Sequence, residues 1–189
     1  MRRWRRPILF SSISNQVADA PFFKTRRSGE LTVARENGQL EMNFPAVPAA
    51  AVAAPAALTA ALGRSPQSVL AAPRDYVAVF GSEREIAELT PDFANLAKLD
   101  RDAVIVTAPG AEVDFVSRFF APKFGVSEDP VTGSAHCTLA PYWAGRVGRG
   151  DLHARQISAR GGDIHCRLDG DRVFLRGACT LYLKGEIEI

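Results

Sequence analysis

Aromatic residues and unbalanced charge are both scarce in this sequence. Phe, Trp and Tyr together make up 8% of its 189 residues, and the formal net charge is +2. A nucleic-acid-binding surface usually needs a basic patch, often interleaved with stacking aromatics, so we expect no nucleic-acid partner. No apolar run is long enough to span a bilayer, so we expect no membrane partner either.

Cysteine is also rare, with Cys137, Cys166 and Cys179 as the complete set. An odd number without metal-motif spacing argues against a disulfide framework and against a metal site, so we expect reduced thiols in the cytoplasm. Cys137 lies near a possible helix start, where a thiolate could be stabilised. A small buried apolar residue is the favoured interpretation, because free cysteines are commonly buried.

The first residues have an unusual composition. Residues 1–6 contain four arginines, and the apolar stretch Pro7–Phe10 that follows is too short for a secretory signal peptide. The Arg- and Ser-rich opening is also compatible with a transit peptide. The hydrophobic content of 47% suits one domain, or one and a half domains, rather than a disordered chain.

Apolar runs and turn residues predict many strands and a few short helices. Asn37-Gly38 is typical of a hairpin turn. Gly63 is expected to end a helix from Ala56, at the close of an Ala- and Pro-rich stretch that could otherwise be a linker. Ser82 and Asp92 are expected to begin two further helices, through Leu89 and Leu99. The expected strands are 31–33, 40–44, 76–80, 103–107, 113–120, 154–158, 164–168, 173–175 and 181–183.

The longest predicted helix runs from Ala135 to Val147 and is apolar on most sides. Such a helix fits the interior of a sheet that curls around it. Pro141 removes one backbone hydrogen bond within this helix, so it should kink the helix or split it into two pieces. The sequence therefore predicts an α+β fold with one central helix.

The segment before this helix has the composition of an anion-binding site. Gly133 lets a ligand approach the backbone, Ser134 adds a hydroxyl, and the unpaired N–H groups of a first helical turn attract negative groups. Thr132 is expected to cap the helix, and Asp129 lies just outside the group of N–H donors that would bind the anion. Plain helix capping explains a Gly-Ser start equally well, and Asp129 could then be an ordinary N-terminal charge.

A longer stretch around this segment resembles the second-domain signature of the PhzF family. It comprises Arg118–Pro122 and Gly125–Trp143, and it includes Glu128-Asp129-Pro130-Val131-Thr132-Gly133-Ser134-Ala135-His136. Other stretches are similar to the family too, so that the resemblance covers roughly residues 20–185: these are 25–45, 106–108, 154–162 and 171–173. PhzF proteins are phenazine-biosynthesis-type isomerases, related in fold to diaminopimelate epimerase and proline racemase.

The resemblance implies two similar domains, each a curled, mostly antiparallel sheet around a helix, with the active site between the two helix starts. It implies a cofactor-independent reaction in which a carboxylate acts as general acid/base on a small cyclic carboxylate. Asp129, Gly133 and Ser134 fall on ligand-side positions of the motif, with Thr132 beside them. His136 is expected to be structural first and a possible ligand contact second, because it lies about one turn inside the helix.

Two stretches typical of the family do not occur here. One resembles Asn-Leu-Ser-Glu-Thr and supplies the catalytic glutamate, and the other resembles Cys-Gly-His-Ala-Thr at the first helix start. No residue of this sequence is therefore assigned the catalytic role. We expect residues 1–21 to be an unplaced remnant of a largely missing N-terminal domain, and residues 22–189 to be the C-terminal domain, whose last strand can return to the first.

Three functions are compatible with these observations. The first is a PhzF-like isomerase or epimerase, completed by a homodimer partner or by a complementing N-terminal domain. The second is a non-catalytic protein that binds small carboxylates, and the third is a truncated inactive product. A catalytic group of Asp129, His136 and Cys137 within this chain is disfavoured, because adjacent helical side chains diverge by about 100°.

Overall fold

The computed structural model describes residues 22–25, 29–36 and 39–179 of the chain. These residues form one sheet of twelve strands, four α-helices and a 3₁₀ turn at Pro122–Phe124. The strands are β1 (Phe22–Thr25), β2 (Gly29–Glu36), β3 (Gln39–Pro45), β4 (Ala50–Val52), β5 (Ser68–Ala71), β6 (Asp75–Val79), β7 (Ala103–Pro109), β8 (Phe115–Ala121), β9 (Val126–Asp129), β10 (Asp151–Gln156), β11 (Gly162–Asp169) and β12 (Arg172–Gly177). The helices are α1 (Ala56–Leu62), α2 (Glu83–Ala87), α3 (Phe93–Leu96) and α4 (Gly133–Val147).

The sheet is an open path of strands. Its order is β1-β2-β3-β12-β11-β10-β8-β7-β6-β5-β4, and β9 pairs with β8 outside this path. Neighbouring strands are antiparallel except for β6 with β7 and β8 with β10, which are parallel. The expected α+β fold with a mostly antiparallel sheet is confirmed.

Strands β6 and β7 are buried on both faces. Ala78 and Val106 pack with α1, α2 and α3 in one apolar cluster, whereas Val77 and Ile105 pack with α4 in a second cluster on the other face. Strands covered on both sides need apolar residues at every position. The two continuous apolar runs in the sequence therefore mark the part of the sheet that lies between helices.

The starts of α2 and α3 and the end of α1 lie where local sequence signals place them. The Ser82 hydroxyl accepts a hydrogen bond from the amide of Glu85, and the Asp92 carboxylate accepts one from the amide of Asn95. Gly63 ends α1 with φ 69°, a left-handed conformation that glycine adopts without steric cost. These three terminal residues are confirmed.

Helix α4 is continuous, so the expected split at Pro141 is wrong. Proline cannot donate a hydrogen bond to the carbonyl of Cys137, four residues earlier. That carbonyl instead accepts a hydrogen bond from the amide of Val47, with N and O 3.0 Å apart. The segment between β3 and β4 thus replaces the helical hydrogen bond that Pro141 removes.

Several boundaries differ from expectation. β4 and β5 were not predicted, and β4 lies in the Ala- and Pro-rich stretch, which is therefore part of the sheet through its pairing with β5. α2 and α3 are shorter than expected and end at Ala87 and Leu96. The expected Asn37-Gly38 turn, the strand 181–183 and the whole segment 1–21 lie outside the described residues. None of the helices in the described ranges has the length and apolar character needed to cross a bilayer.

Replacing Leu139 tests the burial of α4. Leu139 is fully buried in the second cluster, so Leu139→Ala should lower the free energy of unfolding by about 2–5 kcal/mol in urea titrations followed by circular dichroism. Val147, in the last turn of the same helix, is 38% exposed, and Val147→Ala should change it by less than about 0.5 kcal/mol. Equal losses in the two variants would contradict this orientation of the helix.

Candidate functional site

The strand that leads into α4 is anchored by an ion pair. Arg118 in β8 donates from Nε and Nη2 to the two carboxylate oxygens of Glu128, at 2.8 and 3.0 Å. Its Nη1 donates to the carbonyls of Ile86 and Leu89, both at 2.9 Å. The pair is largely shielded from water, and a two-pronged contact of this kind is more rigid than a surface ion pair. It fixes β9 just before Asp129, and it leaves both carboxylate oxygens of Glu128 hydrogen-bonded to Arg118.

The side-chain amide of Gln156 holds the loop between β9 and α4. Its Oε1 accepts a hydrogen bond from the amide of Thr132 at 2.8 Å, and its Nε2 donates to the carbonyl of Asp129 at 2.6 Å and to Thr132 Oγ1 at 3.2 Å. Gln156 is fully buried. Because each of its polar atoms has a partner, the cost of burying a carboxamide is offset.

Thr132 stands at the N-cap position of α4 but does not cap the helix with its side chain. Its hydroxyl donates to Asp129 Oδ2, so Thr132 is the N-cap residue by position but provides no side-chain cap. Capping would use the hydroxyl oxygen as an acceptor, and that oxygen accepts from Gln156 Nε2 at 3.2 Å instead of from a helix amide. Asp129 Oδ1 has no hydrogen bond from any described residue, so this oxygen is available on the open side of the loop.

The first-turn amides of α4 are unpaired within the described part of the chain. No side chain or backbone carbonyl there accepts a hydrogen bond from the amide of Gly133, Ser134 or Ala135. Ser134 is exposed and Gly133 is partly exposed. Ala135 is fully buried, so the accessible unpaired amides are those of Gly133 and Ser134, at the positive end of a fifteen-residue helix, where a negative group is favoured.

Packing within the chain does not require glycine at position 133. A Cβ added there would lie 3.6 Å from Leu175 Cδ1, which is an ordinary contact, and nothing else lies closer. The residue is also helical, so no unusual backbone angle demands glycine. The absence of a side chain instead leaves the first-turn amides open to a molecule that approaches from outside.

His136 lies one turn inside the helix and is fully buried. Its Nδ1 is 2.8 Å from the carbonyl of Thr132, so Nδ1 carries the proton and donates it. Burial lowers the pKa of His136 to about 4, so the ring is neutral at pH 7. The structural role expected for His136 is the one that this geometry supports.

Cys137 points into the apolar cluster and not toward the helix start. Its Sγ lies 3.5 Å from the carbonyl of Gly133, and burial raises the pKa of the thiol to about 11. A stabilised thiolate at this position is therefore excluded. The structure does not bring Asp129, His136 and Cys137 together as a catalytic group, because the ring and the thiol are each engaged with a helix carbonyl.

An open groove among the described residues lies away from the start of α4. It is a groove of about 370 Å³ on the outer face of β10, β11 and β12, where the rings of His153 and His165 stack with centroids 4.6 Å apart. None of its lining residues belongs to the motif before α4. Across the described residues, no group of three or more His, Cys, Asp or Glu side chains is arranged to hold a metal ion. The lining residues are Glu41, Arg149, Asp151, Leu152, His153, His165, Cys166, Arg167, Phe174 and Arg176.

Comparison with known proteins identifies the family. The family model described as phenazine biosynthesis-like protein, PhzC-PhzF, matches residues 8–185. The chain belongs to the PhzF family. This match begins at residue 8 and so extends into the segment before residue 20.

Curated PhzF relatives and solved structures agree with this assignment. Two uncharacterized isomerases of Pseudomonas aeruginosa are each 48% identical over 163 residues, which is 86% of this chain and 62% of each relative. A PhzF family protein of Enterococcus faecalis has a TM-score of 0.84 at 37% identity, covering 92% of this chain and 66% of that one. A putative PhzC/PhzF protein of Clostridium difficile has a TM-score of 0.76 at 39% identity, covering 85% and 62%.

The chain spans less than two thirds of the length of these relatives. A predicted epimerase of Pseudomonas aeruginosa shares the fold at 18% identity, with a TM-score of 0.62.

The residues of the PhzF motif lie close together in the structure, because Asp129, Thr132, Gly133 and Ser134 are all at the start of α4. Sequence reasoning missed the residues that hold this place, above all Gln156. Its signal is a polar side chain on the inner face of β10, where Leu152 and Ala154 are buried and apolar.

Removing the Gln156 amide should weaken this part of the PhzF fold. Gln156→Leu leaves the Thr132 amide and the Asp129 carbonyl without their partner, so we expect a loss of about 1–3 kcal/mol in the free energy of unfolding, measured in urea. Gln67→Leu is the matched control, because Gln67 is exposed, and it should stay within about 0.5 kcal/mol of the wild type. If the two variants unfold at the same urea concentration, Gln156 does not hold the loop.

Proposed function

We propose that this chain carries the carboxylate-binding half of a PhzF-like, cofactor-independent isomerase or epimerase. Its substrate would be a small cyclic or amino carboxylate, and its reaction a proton transfer by general acid/base catalysis. In this proposal residues 22–189 are the C-terminal domain, and the start of α4 grips the carboxylate. Two buried free thiols, Cys137 and Cys166, support a reducing compartment such as the cytoplasm.

The observation that carries this proposal is the pair of unpaired amides at Gly133 and Ser134, both of which are at least partly exposed. A planar carboxylate can accept hydrogen bonds from two such amides, and the Ser134 hydroxyl adds a third donor. Charge-assisted hydrogen bonds of this kind are about twice as strong as neutral ones. The helix start is thus suited to hold one end of a small acid in a fixed orientation.

Asp129 is positioned to contact the rest of the ligand. Thr132 and Gln156 hold its carboxylate and its carbonyl, while Oδ1 stays without a partner among the described residues. A carboxylate fixed in this way can accept a hydrogen bond from a hydroxyl or amino group of the substrate. We therefore propose Asp129 as a substrate-binding group, with Thr132 as the residue that orients it.

The proton carrier is proposed to come from a complementing N-terminal domain or from a partner subunit. The glutamate-bearing stretch that the family resemblance implies does not occur in this sequence. A positioned general acid or base contributes about 10²–10⁴ in rate. Activity in our proposal therefore requires a second polypeptide segment that faces the start of α4.

A non-catalytic carboxylate-binding protein is the second candidate function. The observation that favours it is that the binding elements are present in this sequence while the glutamate-bearing stretch is not. Both candidates require that the helix start binds a small acid. Exchange of the substrate α-hydrogen with D₂O, after a family N-terminal domain is added, would distinguish them.

Calorimetric titration with anthranilate and with amino acids tests binding at the helix start. Ser134→Ala should weaken the affinity about 10–150-fold, because one charge-assisted hydrogen bond is lost. Gly133→Ala should fold normally, since its Cβ fits against Leu175, yet bind at least about tenfold more weakly because the methyl group overlaps the ligand.

Ser127→Ala is the control for both variants, because Ser127 is exposed in β9 and lies before the proposed binding site at the start of α4. It should bind with wild-type affinity. Absence of heat with every acid tested, or unchanged affinity in Ser134→Ala, would remove the proposed site.

A further inference from the structure

A row of polar residues crosses the sheet beneath α4. Ser117 in β8 is the registered partner of Thr107 in β7 and of Gln156 in β10. Registered partners on neighbouring strands point to the same face of a sheet. That face is the one covered by α4, since Gln156 contacts Thr132 and Thr107 Oγ1 accepts a hydrogen bond from Trp143 Nε1 at 3.0 Å.

His136 lies directly above the middle of this row. Thr132, His136 and Trp143 fall within about 40° of one another around the helix axis, so they share one side of α4. Thr132 lies over β10 and Trp143 over β7, which leaves His136 over β8, the strand between them. The rings confirm this, because Phe115 of β8 has its centroid 5.9 Å from His136 and 5.5 Å from Trp143.

Two complementary polar atoms lie on the facing sides of β8 and α4. His136 Nε2 and Ser117 Oγ are both buried, and neither has a hydrogen-bond partner among the described residues. Because Nδ1 carries the proton, Nε2 is an acceptor with a free lone pair. A serine hydroxyl can donate and rotates freely to do so. Leaving either atom unpaired would cost about 1–3 kcal/mol.

We propose that the Ser117 hydroxyl donates to His136 Nε2 across one bridging water molecule, and that His136 held in this way is a positioning residue for the ligand site. The imidazole then connects the sheet to the start of α4. Its Nδ1–H fixes the carbonyl of Thr132, and the Thr132 hydroxyl fixes the carboxylate of Asp129. Displacement of the ring therefore displaces Asp129. The effect on ligand binding rests on the proposed function, whereas the hydrogen-bonding pattern does not.

The hydrogen-bonding pattern can be measured on the wild-type protein by nitrogen-15 NMR of its histidine rings. We expect His136 to show a protonated Nδ1 and an unprotonated Nε2 throughout the range from pH 8 to pH 5, because burial holds the pKa of this ring at about 4. Ser117→Ala should shift the Nε2 resonance and leave Nδ1 in place. A proton on Nε2, or an unchanged Nε2 resonance in Ser117→Ala, overturns the proposal.

Two amide substitutions separate the two ring nitrogens. His136→Asn places an amide where Nδ1 stands and keeps a donor for Thr132, whereas His136→Gln places its amide where Nε2 stands and keeps only the partner of Ser117. His136→Asn keeps the Thr132 contact and loses that of Ser117, so we expect it to weaken anthranilate affinity less than His136→Gln, for which we expect a loss of at least about tenfold. Thermal unfolding of both variants shows that each is folded.

Equal loss of affinity in the two variants, when both are folded, overturns the positioning role. If the wild-type chain binds no carboxylate at all, the proposed function fails, and the nitrogen-15 measurement alone then decides the Ser117–His136 contact. The two failures are therefore distinguishable.

Discussion

The side-chain amide of Gln156 crosses from β10 to the loop before α4 and hydrogen bonds with both ends of that loop. The rest of the site depends on this contact. It holds the Thr132 hydroxyl beside Asp129, so that the hydroxyl bonds the carboxylate and does not cap the helix. A threonine that capped its own helix would occupy the amides that a ligand needs. The unpaired helix start is thus a consequence of a buried amide in a neighbouring strand.

The ion pair of Arg118 and Glu128 adds a second restraint from the other side of the loop. Together the two contacts fix the loop between a strand of the sheet and the central helix. The site needs this support because a helix start with unpaired amides contributes nothing to the stability of the free protein. Neighbouring buried groups supply the stability, and the exposed amides remain available for a ligand, as expected for a binding site built on a rigid scaffold.

Much of the fold follows from local patterns. Continuous apolar runs identify β6 and β7 because both faces of these strands are covered, and Ser82, Asp92 and Gly63 mark helix ends through their own side chains or conformations. The motif from Glu128 to His136 also locates the residues that we propose as ligand contacts, since they are close together in sequence. What the sequence could not supply is long-range pairing. Gln156 and Val47 matter because of partners 24 and 90 positions away, namely Thr132 and Cys137.

Amide hydrogen exchange at the start of α4 tests the central claim most directly. If the Gln156 contact leaves this helix start open, the amides of Gly133 and Ser134 exchange rapidly in the free protein, while those of Leu139 and Ala140 in the same helix are protected. Saturating anthranilate should then slow exchange at positions 133 and 134 specifically. Amides at these two positions that are already protected without any ligand, or that stay fast when anthranilate is bound, would contradict the account.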